Sequence, residues 1–172
     1  MAGGSAFRKH YQDEGMGAGS KLEFFQHAEG RVVVDGNSFD YEYNLTDHLG
    51  NVRVTLDESG TVVQKDDYYP FGLTFNHWNE PSVADENQYK YNGNEVQVEI
   101  PNIADFNARF YNAALGRFMM IDPLADLQES FNPYHFSYDN PIALNDPSGL
   151  MPNPGAPINS GVYDNPTPPG IL

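Results

Sequence analysis

Runs in which aromatic or branched residues alternate with polar ones, each closed by a turn signal, constrain this chain most. FDYEYNLT is followed by the turn signal DHLGN, and VRVTL is followed by DESG. Successive side chains of a strand point to opposite faces, so this alternation is typical of half-buried strands. Within VRVTL it separates an apolar face from a face that carries Arg53 and Thr55. Turn signals about ten residues apart between such runs predict antiparallel hairpins.

The runs that follow carry their own stop signals. TVVQKDDYYPFG is predicted to be a strand that ends at Pro70 and Gly72, because proline cannot donate a hydrogen bond to a sheet ladder. Asn92-Gly93 suits the positive φ angles of a tight hairpin turn. The stretch NHWNEPSVADENQ, residues 76–88, is predicted to be a polar surface loop.

One segment has two interpretations. Residues 113–118 form either a short helix around Ala113 to Phe118 or two strands about the turn Ala114-Leu115-Gly116, because periodicity does not discriminate at this length. The predicted fold class is therefore all-β, made mainly of antiparallel hairpins, with at most one or two short helices.

Composition divides the chain into three zones. Residues 1–20 are rich in Gly and Ala and are interpreted as a flexible leader or a truncation scar. Residues 21–150 carry the periodic pattern. Residues 151–172 hold six of the 13 prolines and one charged side chain, Asp164, so they are not expected to form a packed core by themselves.

Charge and residue content exclude several classes of function. The net charge of -15, from 9 basic and 24 acidic residues, argues against nucleic acid and against docking on an anionic membrane. The chain has no cysteine for thiol catalysis, and no apolar run near the roughly 20 residues that a transmembrane helix needs. Its start lacks the apolar core of a signal peptide, so any export signal would lie outside this chain.

The sequence gives little indication of a metal site or a carbohydrate site. The histidines show no metal-ligand spacing, and no metal or other cofactor is predicted. Asp66-Asp67 and residues 85–87 could chelate Ca²⁺, but without EF-hand spacing solvated loops are the favoured interpretation. Three tyrosine pairs suit either a carbohydrate-binding face or, preferably, cross-strand aromatic contacts. These pairs are Tyr41/Tyr43, Tyr68/Tyr69 and Tyr89/Tyr91.

Four longer segments, taken in order, carry a family resemblance. They are YNLTDHLGNVRVTLDESGTVVQKDDYYPFG, YKYNGNE, DFNARFYNAALGRFMMIDPLAD and NPYHFSYDNPIALNDPSG. Over roughly residues 22–150 the chain resembles the RHS repeat-associated core domain, the C-terminal end-module of RHS/YD-repeat proteins such as polymorphic toxins and Tc-toxin C components. The sequence of these segments, together with LEFFQHAEGRV, is similar to bacterial members of the family of the Bacteroidetes type.

The resemblance implies a fold and a function. In such proteins tyrosine-rich hairpins join into a sheet that spirals into a hollow shell, and the core domain closes one end as an inward plug. An aspartic autoprotease in the core cuts after the terminal DPxGL-like motif and leaves a C-terminal toxin caged. The implied partners are the rest of the shell and a toxin or its immunity protein, and the implied location is secreted or at the cell surface, within a larger bacterial protein.

The resemblance also implies the reacting groups. The candidate carboxyl groups are Asp122 of IDPLAD and Asp146 of NDPSGL. Two carboxylates in close contact share a proton, so one can act as general base towards water and the other as general acid towards the leaving amide. Each precedes a proline, which biases its backbone away from the helical region. At IDPLAD the glycine often found in the family's motif is missing.

The remaining implied positions lie nearby in the sequence. Arg109 of ARFY is the preferred site arginine, while Arg117 of LGRF is expected to pair with a carboxylate structurally. The cut is expected between Leu150 and Met151, and it would release residues 151–172. Such an activity acts only in cis, so no enzyme with turnover is expected.

A second hypothesis needs no chemistry. Asp-Pro-Ser-Gly is also a near-ideal type I turn, in which Asp146 accepts from the backbone and Gly149 closes the turn. The chain would then be an inert β-rich structural or interaction module of a secreted or cell-surface repeat protein. A few hairpins do not make a shell, so the chain is interpreted as a fragment or an orphan gene product. Its strand edges would favour self-association.

Overall fold

The computed structural model describes residues 9–12, 21–75, 86–100 and 102–154. Within these ranges the chain forms twelve strands and three short 3-10 turns, with no α-helix. The prediction of an all-β fold built from antiparallel strands is confirmed. None of the helical turns in these ranges is long and apolar enough to cross a membrane.

The first six strands form one antiparallel sheet in chain order. They are β1 (Lys9–Gln12), β2 (Lys21–His27), β3 (Gly30–Asp35), β4 (Ser38–Thr46), β5 (Val52–Asp57) and β6 (Val62–Lys65). Strand β1 lies within the zone predicted to be a flexible leader, and it pairs with β2 at the edge of the described sheet. Since each strand pairs with its neighbours in sequence, the sheet is a simple meander.

Aspartates build the turns of this sheet as the sequence predicted. The carboxylate of Asp47 accepts hydrogen bonds from the N–H groups of Leu49 and Asn51 at 2.9 and 3.1 Å. Asp57 does the same for Ser59 and Thr61, both at 2.8 Å. Each aspartate replaces a backbone acceptor in a tight turn, which fixes the register of the hairpin it closes.

The end of the last strand differs from the prediction. Strand β6 stops at Lys65 instead of continuing to Pro70. The next two residues form ion pairs: Asp66 Oδ1 lies 3.1 Å from Lys90 Nζ, and Asp67 pairs with Arg53. Asp66 is buried, so the interpretation of this acidic pair as a solvated loop is wrong there.

The second half of the described chain forms two smaller antiparallel sheets. One contains β7 (Glu95–Val96), β8 (Ile103–Asp105), β9 (Phe110–Asn112) and β10 (Arg117–Phe118), and the other contains β11 (Leu144–Asn145) and β12 (Asn153–Pro154). The 3-10 turns are Tyr91–Gly93, Ala125–Leu127 and Ser137–Asp139. Strand β12 lies at the start of the proline-rich tail, and most of the expected polar loop at 76–88 lies outside the described residues.

The ambiguous segment is a hairpin. Residues 113–116 are the turn between β9 and β10, and Phe118 pairs with Tyr111 across it. The helix alternative is therefore wrong and the two-strand alternative is confirmed. Earlier in the chain, Asn92 and Gly93 have φ angles of 51° and 69°, as the predicted tight turn requires.

An aromatic cluster forms the core of the second half. Tyr91, Phe106, Tyr111, Phe118 and Phe136 are all buried, and the ring centroids of Tyr111 and Phe136 lie 4.6 Å apart. Hydroxyl groups tie this cluster to the loop after β6. The Tyr91 hydroxyl donates to the carbonyl of Pro70 and the Tyr111 hydroxyl to the carbonyl of Phe71, both at 2.8 Å. The hydroxyl groups of both tyrosines therefore have hydrogen-bond partners although the side chains are buried.

The two faces of the large sheet are buried unequally. Tyr41 and Tyr43 on one face of β4 are exposed and lie against His27, with centroid distances of 6.4 and 6.1 Å. On the other face Thr55 is 0% exposed and donates to Asn44 Oδ1 at 3.1 Å. The second half of the chain covers this polar face, because Asn87 Nδ2 also donates to Asn44 Oδ1.

The other tyrosine pairs contact aromatic residues across the fold. Tyr68 lies 5.7 Å from Tyr91, and Tyr89 packs edge-on against Phe24 at 6.4 Å. These tyrosines therefore make aromatic contacts, but the contacts join separate parts of the fold and are not the expected cross-strand pairs within one sheet.

Two glycines with the same backbone conformation make a matched test of this packing. Gly72 and Gly60 have φ angles of +83° and +82°, but an added Cβ would overlap the Tyr91 ring at Gly72 and meet nothing within 4 Å at Gly60. We expect Gly60→Ala to cost about 1–2 kcal/mol from backbone strain alone. Gly72→Ala should cost a further 1–3 kcal/mol, about the usual penalty of overpacking. Urea unfolding measures both, and equal losses would contradict the packing described for Tyr91.

Candidate functional site

The structure brings Arg109, Asp122 and Asp146 together beside the aromatic cluster. Arg109 Nη2 lies 3.0 Å from Asp122 Oδ2 and 3.5 Å from Asp146 Oδ2. The three residues are 2%, 3% and 1% exposed. Buried charges are found where partners compensate them, and here one guanidinium faces two carboxyl groups.

Arg109 is held on every side. Its guanidinium carbon lies 3.6 Å from the centroid of the Phe118 ring, a close cation–π contact. Its Nε donates to the carbonyl oxygen of Gly149 at 2.5 Å, and its Nη1 donates to that of Pro133 at 3.3 Å. The side chain therefore has one position in which all its charge is compensated.

Asp122 is fixed by its own turn. Its N–H donates to the carbonyl of Pro133 at 3.0 Å, and its Oδ1 accepts from the N–H of Leu124 at 2.7 Å. Its Oδ2 faces Arg109, and no hydrogen bond to that oxygen from any described residue has suitable geometry. A lone pair at this oxygen is thus left to accept a proton or to bind a water molecule.

Asp146 closes the turn predicted for NDPSG. Its Oδ1 accepts from the N–H of Leu150 at 3.0 Å, and its backbone carbonyl accepts from the N–H of Gly149 at 3.2 Å. Gly149 has a φ of +68°, and an added Cβ would lie 2.8 Å from the carbonyl oxygen of Phe106. Glycine is needed here for both conformation and space.

Burial sets the protonation of this cluster. It raises the pKa of Asp146 to about 6, against the opposing effect of Arg109, and the charge of Asp122 raises it further. Burial also lowers the pKa of Arg109, while the two aspartates raise it. A proton on Asp146 removes one negative charge from the buried cluster. The arrangement suits a pair of carboxyl groups in different protonation states.

The Arg109 cluster forms hydrogen bonds to the peptide group that precedes the expected cleavage site. Arg109 binds the carbonyl oxygen of the Gly149–Leu150 peptide group, and Asp146 binds its N–H. Leu150 and Met151 are both half-buried. The bond between them belongs to the next peptide group along the chain.

Arg117 does not take the role that the sequence suggested. Its side chain is exposed and forms no ion pair with any carboxylate in the described ranges, so the predicted structural pairing is wrong. Alternation along β10 is the reason: Phe118 points into the core and Arg117 points out of it. Arg117 instead lines a cavity of about 400 Å³ with Tyr134 and Asp139.

Sequence reasoning missed a set of buried amides around Asp146. Asn92 Oδ1 accepts from the Asp146 N–H at 3.4 Å, and Asn145 Nδ2 donates to the carbonyl of Leu49 at 3.0 Å. The sequence predicts only a turn at Asn92, because one sequence does not indicate which asparagine side chains are buried. Among the described residues no group of three or more histidine, aspartate or glutamate side chains is placed to hold a metal ion.

Sequence comparisons relate the chain to two kinds of protein. It is 31% identical over 110 residues to salivary gland surface protein 1 of Aedes aegypti, covering 63% of this chain and 3% of that protein. It is 28% identical over 115 residues to toxin subunit YenC1 of Yersinia entomophaga, covering 66% of this chain and 11% of that subunit. No family model matches the chain.

Solved structures share the fold. The crystal structure of TcdB2-TccC3 matches 84% of this chain and 8% of that chain, with a TM-score of 0.61 and 19% identity. A Photorhabdus luminescens Tc holotoxin pore matches 92% of this chain and 8% of that chain, with a TM-score of 0.60 and 21% identity. The chain spans only a small part of each relative. It is a homologue of Tc toxin subunits over that part and has an all-β fold found in Tc toxin complexes.

Proposed function

We propose that this chain is an RHS repeat-associated core domain, of Bacteroidetes-like type, that cuts its own backbone between Leu150 and Met151. The observation that carries the proposal is the buried cluster of one arginine and two aspartates closed onto the residues just before that bond. One structure with the same fold is described as TcdB2-TccC3 without hypervariable C-terminal region, which names a variable C-terminal region in that relative. In this chain the segment released would begin at Met151.

The two aspartates take different roles. Asp122, whose Oδ2 lies 3.0 Å from Arg109 Nη2, acts as general base and removes a proton from water. The oxygen of that water attacks the carbonyl carbon of Leu150. Asp146, whose pKa is raised to about 6, keeps a proton and gives it to the nitrogen of Met151 as the C–N bond breaks. One water is consumed, and a carboxyl group and an amine are formed.

Arg109 keeps the reacting groups in place. It holds the Gly149 carbonyl at 2.5 Å, which fixes the direction in which the chain continues to Leu150. It also holds the Asp122 carboxyl group in place through the ion pair at 3.0 Å. Orientation of this kind supplies much of the rate of an intramolecular reaction.

The proposal extends to a wider role. Among the described strands β1 lies at one edge of the six-stranded sheet, and further repeats of a shell could add at that edge. We propose that such a shell closes around a C-terminal toxin, that an immunity protein accompanies it, and that the whole is secreted or displayed at the surface of a bacterium. The same edge would favour self-association when the shell is absent.

A structural role is the second candidate, and one observation favours it. Asp57 in DESG accepts hydrogen bonds from the second and fourth N–H groups after it, and no reaction is suggested there. Asp146 in DPSG likewise accepts from the fourth N–H group after it. In this alternative the DPSG turn only closes the fold, and the chain is an inert interaction module.

Replacing either site aspartate should stop the cleavage. We expect the freshly purified wild type to lack residues from Met151 onward, whereas Asp122→Asn and Asp146→Asn remain whole because each loses one proton-transfer group. Asp57→Asn is the matched control, since it alters an aspartate of the same kind of turn. It should cleave as the wild type does. Intact mass spectrometry of all four proteins shows whether each has lost the residues from Met151 onward.

The same spectra test the position of the cut. A fragment that ends at Gly149 would move the reaction to the peptide group gripped by Arg109 and Asp146. If all four proteins stay whole, the inert module is the better account. Cleavage in the Asp146→Asn variant would contradict the assignment of Asp146 as the acid.

Cleavage should slow as the pH rises through about 6. The folded pKa of Asp146 is raised from 3.8 to about 6, so the proton it donates is present below that pH and is lost above it. For a single titrating acid the rate should fall about tenfold for each pH unit above the midpoint. The full-length chain is recovered unfolded in urea and is then diluted into buffers across this pH range. The rate at which the intact chain disappears is measured in each buffer. A rate that does not change across the range would contradict the role of Asp146.

A further inference from the structure

We infer that Asn92, itself held by Asn51, is a positioning residue that places Asp146 in the site. Through this pair the geometry of the site depends on the turn between β4 and β5. The reaction that this positioning serves rests on the proposed function, whereas the positioning itself is a property of the fold.

A continuous chain of side-chain hydrogen bonds makes the connection. The Asp47 carboxylate accepts from Asn51 Nδ2 at 2.9 Å. Asn51 Oδ1 then accepts from both the N–H and the Nδ2 of Asn92, at 2.8 and 2.9 Å. Asn92 Oδ1 accepts from the N–H of Asp146 at 3.4 Å. Every asparagine in this chain of bonds is buried.

A second contact runs between the same two regions. Asn145 Nδ2 donates to the carbonyl of Leu49 at 3.0 Å, one residue before Asp146 and within the β4–β5 turn. Asn145 is therefore tied to that turn through its side chain, and Asp146 is tied to Asn92 through its backbone N–H. Leu49 and Asn145 are 96 residues apart in the sequence.

The contacts have a consequence for catalysis. Asp146 reaches Leu150 through its Oδ1 and Arg109 through its Oδ2, so a shift of its backbone changes both contacts at once. Buried hydrogen bonds are costly to leave unmade, which holds the backbone to one position. A small misplacement of a reacting group costs a large factor in rate. The site would then be complete only after the β4–β5 hairpin has docked, which delays the cut until the sheet has folded.

The test removes the Asn92 side chain without disturbing the backbone. Asn92 has a φ of 51°, a conformation that glycine adopts freely, so Asn92→Gly deletes both amide contacts and keeps the turn. Thr55→Val is the control: it deletes another buried hydrogen bond, the one to Asn44, that does not reach the site. Amide hydrogen exchange, resolved by residue, is measured in chains that also carry Asp122→Asn and so stay whole. The cleavage rate and its pH midpoint are measured in chains without that change.

We expect Asn92→Gly to speed exchange at the Asp146 and Leu150 amides by at least about tenfold, and to slow cleavage by a similar factor. The pH midpoint of cleavage should move down as Asp146 leaves its buried setting. Thr55→Val should leave exchange at Leu150 and the pH midpoint unchanged. If Asn92→Gly affects the Leu150 amide no more than Thr55→Val does, the inference is wrong.

The two proposals fail in different ways. If the wild type does not cleave, the proposed reaction is wrong, and exchange at Leu150 still decides whether Asn92 positions Asp146. If the wild type cleaves and Asn92→Gly cleaves equally fast with unchanged exchange, the reaction stands and the positioning role is rejected.

Discussion

The buried guanidinium of Arg109 is the interaction on which the second half of this molecule depends. It lies on the ring of Phe118, faces Asp122 and Asp146, and binds the carbonyl oxygens of Pro133 and Gly149. A charge taken out of water needs such compensation, and removing one partner of a buried pair typically costs about 3–5 kcal/mol. The same contacts fix two carboxyl groups and the end of the chain within one site. Stability and the proposed chemistry therefore rest on the same contacts.

Around this cluster the fold uses polar contacts where a simpler β protein would use apolar ones. The second half of the chain covers the face of the large sheet that carries Thr55 and Asn44, while Tyr41 and Tyr43 on the opposite face stay exposed. Asparagine and aspartate side chains join the halves, including the bonds from Asn51 through Asn92 to Asp146. Directional contacts of this kind specify one arrangement, because a shifted register leaves buried groups unsatisfied.

Local patterns predicted the hairpins well because their causes are local. Asp47 and Asp57 close turns through their own carboxylates, and Asn92-Gly93 adopts the positive φ angles that its residue types allow. Long-range partners were beyond such patterns: nothing near Asp66 in sequence indicates Lys90, and the direction of Arg117 depends on the register of β10. The alternation of apolar and polar residues separates the two faces of β5, but it does not indicate that the second half of the chain covers the face with Thr55. Arg109, Asp122 and Asp146 were selected by resemblance, and the structure places them in contact.

We propose that a water molecule, activated by Asp122, cuts the chain at Leu150. The most direct measurement is to let the full-length chain fold in water enriched in oxygen-18 and to weigh the resulting N-terminal fragment. Hydrolysis by activated water predicts one heavy oxygen in the new terminal carboxyl group of Leu150. A fragment that lacks the label and is one water lighter than the free acid would show that a side chain of the protein attacked the bond and still holds the carbonyl carbon of Leu150. The absence of any fragment would show that the Arg109 cluster only holds the fold together.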